Sequence, residues 1–401
     1  MSRMFLLDLD GTLLQNDVDR FVSAYLRAFS RLVAPYLNPE HFAAQLMKGT
    51  GMMVANRRPD QTLQDAFEAA FFPDLGLERS DFIPLAERFY AEVFPSLQPL
   101  TRPVPGAEAL LYELNRRGDG LAVATNPLFP QTAIQQRLAW AGVPADCYPY
   151  KTITSYENYH FAKPSPLYLA EVLAHLGWPE GEMLVVGNDL EQDILPALSL
   201  GLAVFWLDES ASPAPAGLAG RGVLADLLPW LDAAAPQSLQ PDFSGLPALL
   251  TTLRTTPAAL DSWQRSMPPA AWNNRPAAGE WAAVEVLCHL RDVEVEVNLP
   301  RLRKILSGSN PFVPGQDPDP WAEQRRYLQQ DAAQALAQFC QARVETLELL
   351  EALDDEGWQR PARHAILGPT SLREMAGIIA SHDRLHIRQV HAVLAQPSRL
   401  N

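Results

Sequence analysis

Residues 4–12 read MFLLDLDGT, and they decide the fold. A short apolar run that reaches two aspartates is the pattern of a buried parallel strand delivering polar groups at its C-terminal end. Residues 120–125 (GLAVAT) and 183–187 (MLVVG) repeat it, and 201–207 (GLAVFWL) repeat it more weakly. Segments with helical spacing separate these runs, at 106–117, 166–176 and 191–199. Strands alternating with helices predict a doubly wound α/β sheet.

Residues 17–100 interrupt that alternation directly after the first strand. Their pattern is helical, with no strand-like run, so they read as an inserted helical cap. Residues 208–222 read as a loop and 224–231 as a last helix. Pro, Ser and Ala then dominate 232–245, which marks a linker. The expected organisation is a first domain over 1–232, a linker over 233–245 and a second domain over 246–401. In the second domain, helical patterns near 246–264, 281–306, 322–353 and 371–394 are joined by Pro- or Gly-containing loops, which predicts an antiparallel four-helix bundle. Ser371 and Glu374 have capping-box spacing at the start of the last helix.

Apolar residues make up 47% of the 401 and charged residues 20%, ordinary values for a globular chain, and the length suits more than one core. No apolar run approaches the ~20 residues of a membrane helix, so a soluble protein without a secretion signal is expected. Cys147, Cys288 and Cys340 are too scattered for a disulfide framework and suit a reducing cytoplasm. The net charge is −15, with −13 up to residue 242 and −2 beyond it. Such a field repels a nucleic-acid backbone, so neither nucleic acid nor membrane is an expected partner.

Asp8 and Asp10 flank one residue where a strand ends, so both carboxylates leave the sheet at the same end. A carboxylate attacks phosphorus competently when a divalent cation keeps it ionised and screens the phosphate, while its neighbour handles protons. Gly11 and Thr12 permit a tight turn whose N–H groups can face phosphate oxygens. Thr125, ending the second strand, can donate to the transferring group, and Asn126 beside it is a substrate-binding candidate. Lys163, in AKPSP, supplies a point charge for the transition state; only four of the 32 basic residues are lysines, which makes its position telling. Asp189 and Asp193, in GNDLEQD, offer the hard oxygens that an octahedral magnesium site takes.

In this order these residues resemble the haloacid dehalogenase superfamily, over about the first 232 residues. The resemblance implies a Rossmann-like core, a cap of the type placed between the first and second motifs, and a Mg2+ cofactor. It makes Asp8 the nucleophile and Asp10 the general acid and base that also gives a backbone oxygen to the metal. Thr125 and Lys163 would hold the phosphoryl group, and Asp189 with Asp193 would complete the metal site. One departure is Asn188, which stands where many members carry Asp. Members that cleave carbon–halogen bonds usually lack the second Asp, so Asp10 argues for a phosphatase. The cap should select the substrate; its Arg57 and Arg58 either reach an anionic leaving group or are solvated.

In the second domain His382 and His386 are four apart and share one helical face with Leu372, Met375, Ile379, Val390 and Val393. His289 also lies on an apolar face. Three neutral imidazoles converging in a bundle suit zinc or nickel, and Asp292 is placed to orient a ligand from behind. His391 falls off that face. This region resembles the DinB-like superfamily over about 245–396, on GEWAAVEVLCHLRDVE, RLRKIL and SHDRLHIRQV. The resemblance implies a three-histidine metal site at His289, His382 and His386. The leading expectation is a cytoplasmic, Mg2+-dependent phosphatase of a small phosphorylated metabolite, fused to a metal-binding bundle that allows a homodimer. Two alternatives stay open: the bundle as main catalyst, a metal-dependent hydrolase or thiol transferase, or the bundle as a non-enzymatic sensor or dimerisation module.

Overall fold

The computed structural model of the protein describes residues 3–210 and 212–395. Its contacts divide the chain into two units, residues up to Val172 with Glu180–Asp242, and Leu173–Pro179 with the residues from Phe243 on. Among the described residues no helix is long and apolar enough to cross a membrane.

The α/β unit contains, in chain order, β1 (Met4–Leu7), β2 (Leu14–Asn16), α1 (Val18–Val33), α2 (Pro39–Ala55), α3 (Leu63–Phe71), α4 (Arg79–Arg88), β3 (Thr101–Pro103), α5 (Ala107–Arg116), β4 (Gly120–Val123), α6 (Gln131–Trp140) and β5 (Thr152–Ile153). There follow α7 (Pro166–His175), whose residues from Leu173 on count with the second unit, β6 (Met183–Gly187), α8 (Leu195–Ser199), β7 (Ala203–Leu207), β8 (Gly220–Gly222) and α9 (Leu227–Ala233). The main sheet has the order β5-β4-β1-β6-β7-β8 with every neighbouring pair parallel. Phe5, Leu6 and Leu7 are all buried, as a central strand covered on both faces requires. Leu7 pairs with Val123 on one side and Val186 on the other. The residues just after these three strands therefore leave the sheet along one edge.

The edge strands β5 and β8 were not expected. β5 has two residues, and β8 is Gly-Arg-Gly inside the segment read as a loop, so neither carries an apolar run. In the segment read as a linker, Leu239 is 2% exposed and belongs to the α/β core, so part of it is packed.

β2 and β3 pair antiparallel and form the root from which the cap helices α1 to α4 arise. Asp17 caps α1 by accepting from the Arg20 N–H. Phe21, Tyr25, Phe29 and Val33 then form a buried stripe at intervals of four. Phe29 stacks on Phe89 with centroids 4.0 Å apart, and Phe42, Phe71 and Phe82 crowd around them. Burying each such ring contributes on the order of 1.5–3 kcal/mol, which lets four helices hold together without a sheet of their own.

The second unit contains α10 (Leu246–Ser266), α11 (Pro269–Trp272), α12 (Ala283–Val293), α13 (Leu299–Ser307), β9 (Phe312–Val313), α14 (Trp321–Gln324), α15 (Ala332–Glu351), α16 (Asp355–Trp358), β10 (Pro361–His364), β11 (Gly368–Ser371) and α17 (Leu372–Leu394). The long helices α10, α12, α15 and α17 pack as a bundle. Arg343 of α15, 1% exposed, ties it together: it donates to Leu253 O at 2.9 Å, to Glu294 at 2.8 and 3.1 Å, and to both oxygens of Asp383 on α17. Pairing this complete offsets the cost of burying the guanidinium.

Three features differ from the sequence expectation. The second helix passes through a π-helical turn at Glu294–Asn298 before α13, next to Pro300, which has no N–H to donate. The third helix begins at Ala332 rather than 322, because Asp331 caps it and Arg326 sits at φ +52°. A small sheet of order β11-β10-β9 precedes α17.

Candidate active site and metal centre

Asp8 follows β1 directly and is 7% exposed. Lys163, 4% exposed, places Nζ 2.6 Å from Asp8 Oδ1 and 2.6 Å from Asp193 Oδ1. Thr12 Oγ1 lies 3.1 Å from Asp8 Oδ2 and 3.2 Å from Asn188 Oδ1. Gly11 takes φ +77°, and a Cβ there would stand 2.5 to 2.7 Å from the Asn188 carboxamide. This glycine is therefore required both by the turn and by the approach of the last motif.

Asp8 is pushed up to about 7, mainly by burial. Lys163 opposes the rise, and Asp193 and Asp10 add to it. Lys163 itself is raised, because Asp193 and Asp8 outweigh the desolvation that lowers it. A buried carboxylate that one lysine does not return to the ordinary range fits a site that also takes a divalent cation.

The last motif is arranged differently from its sequence reading. Asp193 Oδ2 accepts from the N–H groups of Asn188 and Asp189, both at 3.1 Å, while Oδ1 faces Lys163. Asp189 Oδ1 accepts from the N–H groups of Glu191 and Gln192, both at 2.9 Å. One oxygen of Asp189 thus serves as an N-cap acceptor, and the neutral Asn188 is the side chain set beside Thr12. The signal was present in the sequence, since Asp is a preferred N-cap, but spacing alone did not show which of the two neighbours turns inward.

Thr125, 1% exposed, anchors the loop after β4: its carbonyl accepts from Thr154 Oγ1 and from the Tyr168 hydroxyl, both at 2.7 Å. Asn126 Nδ2 reaches Gln192 Oε1 at 3.4 Å, and its Oδ1 has no partner among the described residues. Asp10 Oδ1 accepts from Arg137 and, at 3.0 Å, from Asn16 Nδ2; sequence reasoning missed both partners. In the cap, Arg58 is paired with the exposed Asp60, and Arg57 donates to the carbonyls of Val54 and Asn56.

In the second unit His289 of α12 and His382 and His386 of α17 form a cluster able to hold a metal ion. His289 Nε2 is 3.2 Å and His386 Nε2 is 3.1 Å from His382 Nε2. His386 Nδ1 bonds Gln389 Oε1 at 3.0 Å, so Nδ1 carries the proton and the Nε2 lone pair faces the others. Burial, then the neighbouring His386, lowers His289 to about 4; burial, then His386 and His289, lowers His382 to about 2; and burial lowers His386. A single N–H among these nitrogens can satisfy only one neighbour, whereas a cation between them takes all three lone pairs, so the donor set fits a zinc- or nickel-type ion.

Asp292 does not orient His289. Its carboxylate is taken by Arg291 at 2.6 Å, Arg325 at 2.7 Å and the Tyr327 hydroxyl at 2.7 Å, while His289 Nδ1 has no partner among the described residues. The i, i+3 spacing was real but the arginines compete better for the charge. Trp281 stands 5.0 Å from the His289 ring and parallel to His386. A cavity of about 590 Å³ beside it is lined by Trp281, Gln389, Glu280 and Asp319.

The family profile described as haloacid dehalogenase-like hydrolase matches residues 3–201, and that of the DinB superfamily matches 252–390. The pyrimidine 5′-nucleotidase YjjG of Escherichia coli is 29% identical over 163 residues, which span 38% of this chain and 69% of that protein. Among solved structures, a HAD phosphatase from Thermococcus onnurineus is 20% identical with a TM-score of 0.37, covering 57% of this chain and 97% of its own. YfiT from Bacillus subtilis is 21% identical with a TM-score of 0.34, covering 36% of this chain and 83% of its own. Residues 3–201 belong to the haloacid dehalogenase-like hydrolases and residues 252–390 to the DinB superfamily, so the chain is a hydrolase that carries a DinB-type second unit.

Proposed function

We propose that the α/β unit is a Mg2+-dependent phosphatase of a small phosphorylated metabolite, working through a phosphoryl group carried on Asp8. The observation that carries this reading is Asp8 itself, buried at the end of the central strand and held 2.6 Å from Lys163. Asp8 attacks phosphorus, and Asp10 gives a proton to the departing oxygen and later takes one from the attacking water. Lys163 and Thr125, with the turn at Gly11 and Thr12 and with Asn126, hold the phosphoryl oxygens. Asp8, a backbone oxygen of Asp10 and the Asn188 carboxamide would hold magnesium, with Asp193 anchoring Lys163 and the loop, and Asp189 capping it. Bound there, magnesium would neutralise charge on the phosphoryl oxygens. Similarity to a nucleotidase favours a phosphate monoester of modest size. The test is phosphate release from an aryl phosphate and a panel of small phosphorylated metabolites, with magnesium and with chelator; folded protein that turns over none of them with magnesium present contradicts the reading.

With a neutral carboxamide in place of a carboxylate, the site binds magnesium weakly. Asn188→Asp is expected to tighten magnesium binding by roughly tenfold or more, about 1.4 kcal/mol, while Asp189→Asn leaves it unchanged. Titration calorimetry with Mg2+ checks both; loss of binding in Asp189→Asn would return the ligand role to that residue.

For the bundle we propose a zinc- or nickel-type ion held by His289, His382 and His386. Such an ion would polarise a bound ligand. The cavity lined by Trp281 and Gln389, which neighbour the histidines, favours a catalytic role over a scaffolding one. His382→Ala is expected to lose the stoichiometric metal found by elemental analysis and to leave phosphate release unchanged. A phosphatase rate that tracks metal content would instead support the sensor reading.

A further inference from the structure

We infer that Arg137 is a positioning residue that holds Asp10 by one oxygen and ties it to the root of the cap; this rests on the phosphatase reading above. Arg137 lies on α6, is 2% exposed, and donates to Asp10 Oδ1. Asn16 Nδ2 donates to the same oxygen at 3.0 Å. No side chain or N–H among the described residues donates to Asp10 Oδ2. A buried guanidinium is costly unless it is paired and covered. Here it lies against the rings of Phe21 and Phe129, each centroid 5.5 Å from Cζ. Phe21 belongs to α1, the first cap helix, and Asn16 ends β2, the strand that leads into the cap. The arginine therefore joins the acid and base to the first cap helix through Phe21, while Asn16 ties the same oxygen to β2.

The chemistry explains why such a clamp is useful. In the first step an Asp8 oxygen bonds to phosphorus, the bond from phosphorus to the leaving oxygen breaks, and that oxygen takes the proton of Asp10. In the second a water oxygen bonds to phosphorus, its proton passes to Asp10, and the bond between phosphorus and Asp8 breaks. Both transfers need the same carboxyl oxygen turned toward the reacting centre. Two donors on Oδ1 stop rotation of the group and leave Oδ2 for the proton. An aryl leaving group departs without protonation, so with an aryl phosphate only the second step depends on Asp10.

The test uses the full chain with magnesium and 4-nitrophenyl phosphate, and follows kcat, KM and the fraction of enzyme acid-trapped as aspartyl phosphate. In Arg137→Met, kcat is expected to fall by roughly 10² and the trapped fraction to rise severalfold, with kcat/KM, which reports the first step, held within about threefold. Arg137→Lys should recover part of kcat. Asn16→Ala, at a half-exposed position, should show the same split to a smaller extent, and it decides the matter if Arg137→Met does not fold. A parallel fall of kcat and kcat/KM with no rise in trapped phosphoenzyme would reduce Arg137 to a structural role and overturn the inference. Absence of both turnover and phosphoenzyme in the wild type would overturn the phosphatase reading, and this inference with it.

Discussion

Asp8→Asn is expected to stop phosphate release, by a factor on the order of 10⁴ to 10⁶, as in other enzymes deprived of their nucleophile. The substitution keeps the volume and loses the charge and nucleophilicity. Lys163 is not orphaned, because Asp193 remains 2.6 Å away. The fold should therefore survive, and the sign of the Asp8 shift says more. Its folded value, about 7, lies above the unfolded value near 3.8, so in the metal-free protein stability falls as pH rises across that window. The asparagine has no such dependence. Metal-free Asp8→Asn should match the wild type near pH 4 and melt higher at pH 8, by roughly 2–4 °C for each kcal/mol relieved in a domain of this size. A variant that melts lower at pH 8 would mean that Asp8 is charged and stabilising without metal, and would undo this part of the account.

Lys163→Met should cost both activity and stability. The lysine neutralises two buried carboxylates at once, each oxygen 2.6 Å from Nζ. Removing one partner of a buried ion pair typically costs 3–5 kcal/mol, about the effect expected here. Losing a preorganised charge at the transferring group lowers kcat by roughly 10² to 10³. The destabilisation should shrink at low pH, where Asp8 accepts a proton and no longer needs the cation. Denaturant titration at pH 5 and pH 8 reads the stability, and a loss that is equal at both would show that packing, rather than charge, is what Lys163 supplies.

Much of the fold was legible because parallel strands are apolar on both faces: β1, β4 and β6 stand out as runs, and each ends in a polar or small residue where the site lies. The short edge strands β5 and β8 carry no such run and are formed by pairing alone. In the bundle, the i, i+4 pair His382 and His386 was readable from spacing, and His289 from its place on an apolar face. The α17 start was readable too, with Ser371 and Glu374 satisfying each other's backbone N–H groups. What escaped were the partners that tertiary structure supplies. Arg137 is far from Asp10 in sequence, and nothing local marks an arginine that will be buried against two phenylalanines. Asp292 had the right spacing from His289, but Arg325 and Tyr327 come from a distant loop and claim its charge.

The central claim is that Asp8 carries the phosphoryl group. It is tested most directly by incubating the protein with magnesium and 4-nitrophenyl phosphate, quenching in acid, and locating any phosphoryl adduct by mass spectrometry of the peptide from Met4 to Arg20. The account predicts an adduct on Asp8 that needs magnesium and disappears in Asp8→Asn. Turnover without an adduct on that peptide, or with an adduct that persists in Asp8→Asn, would contradict it.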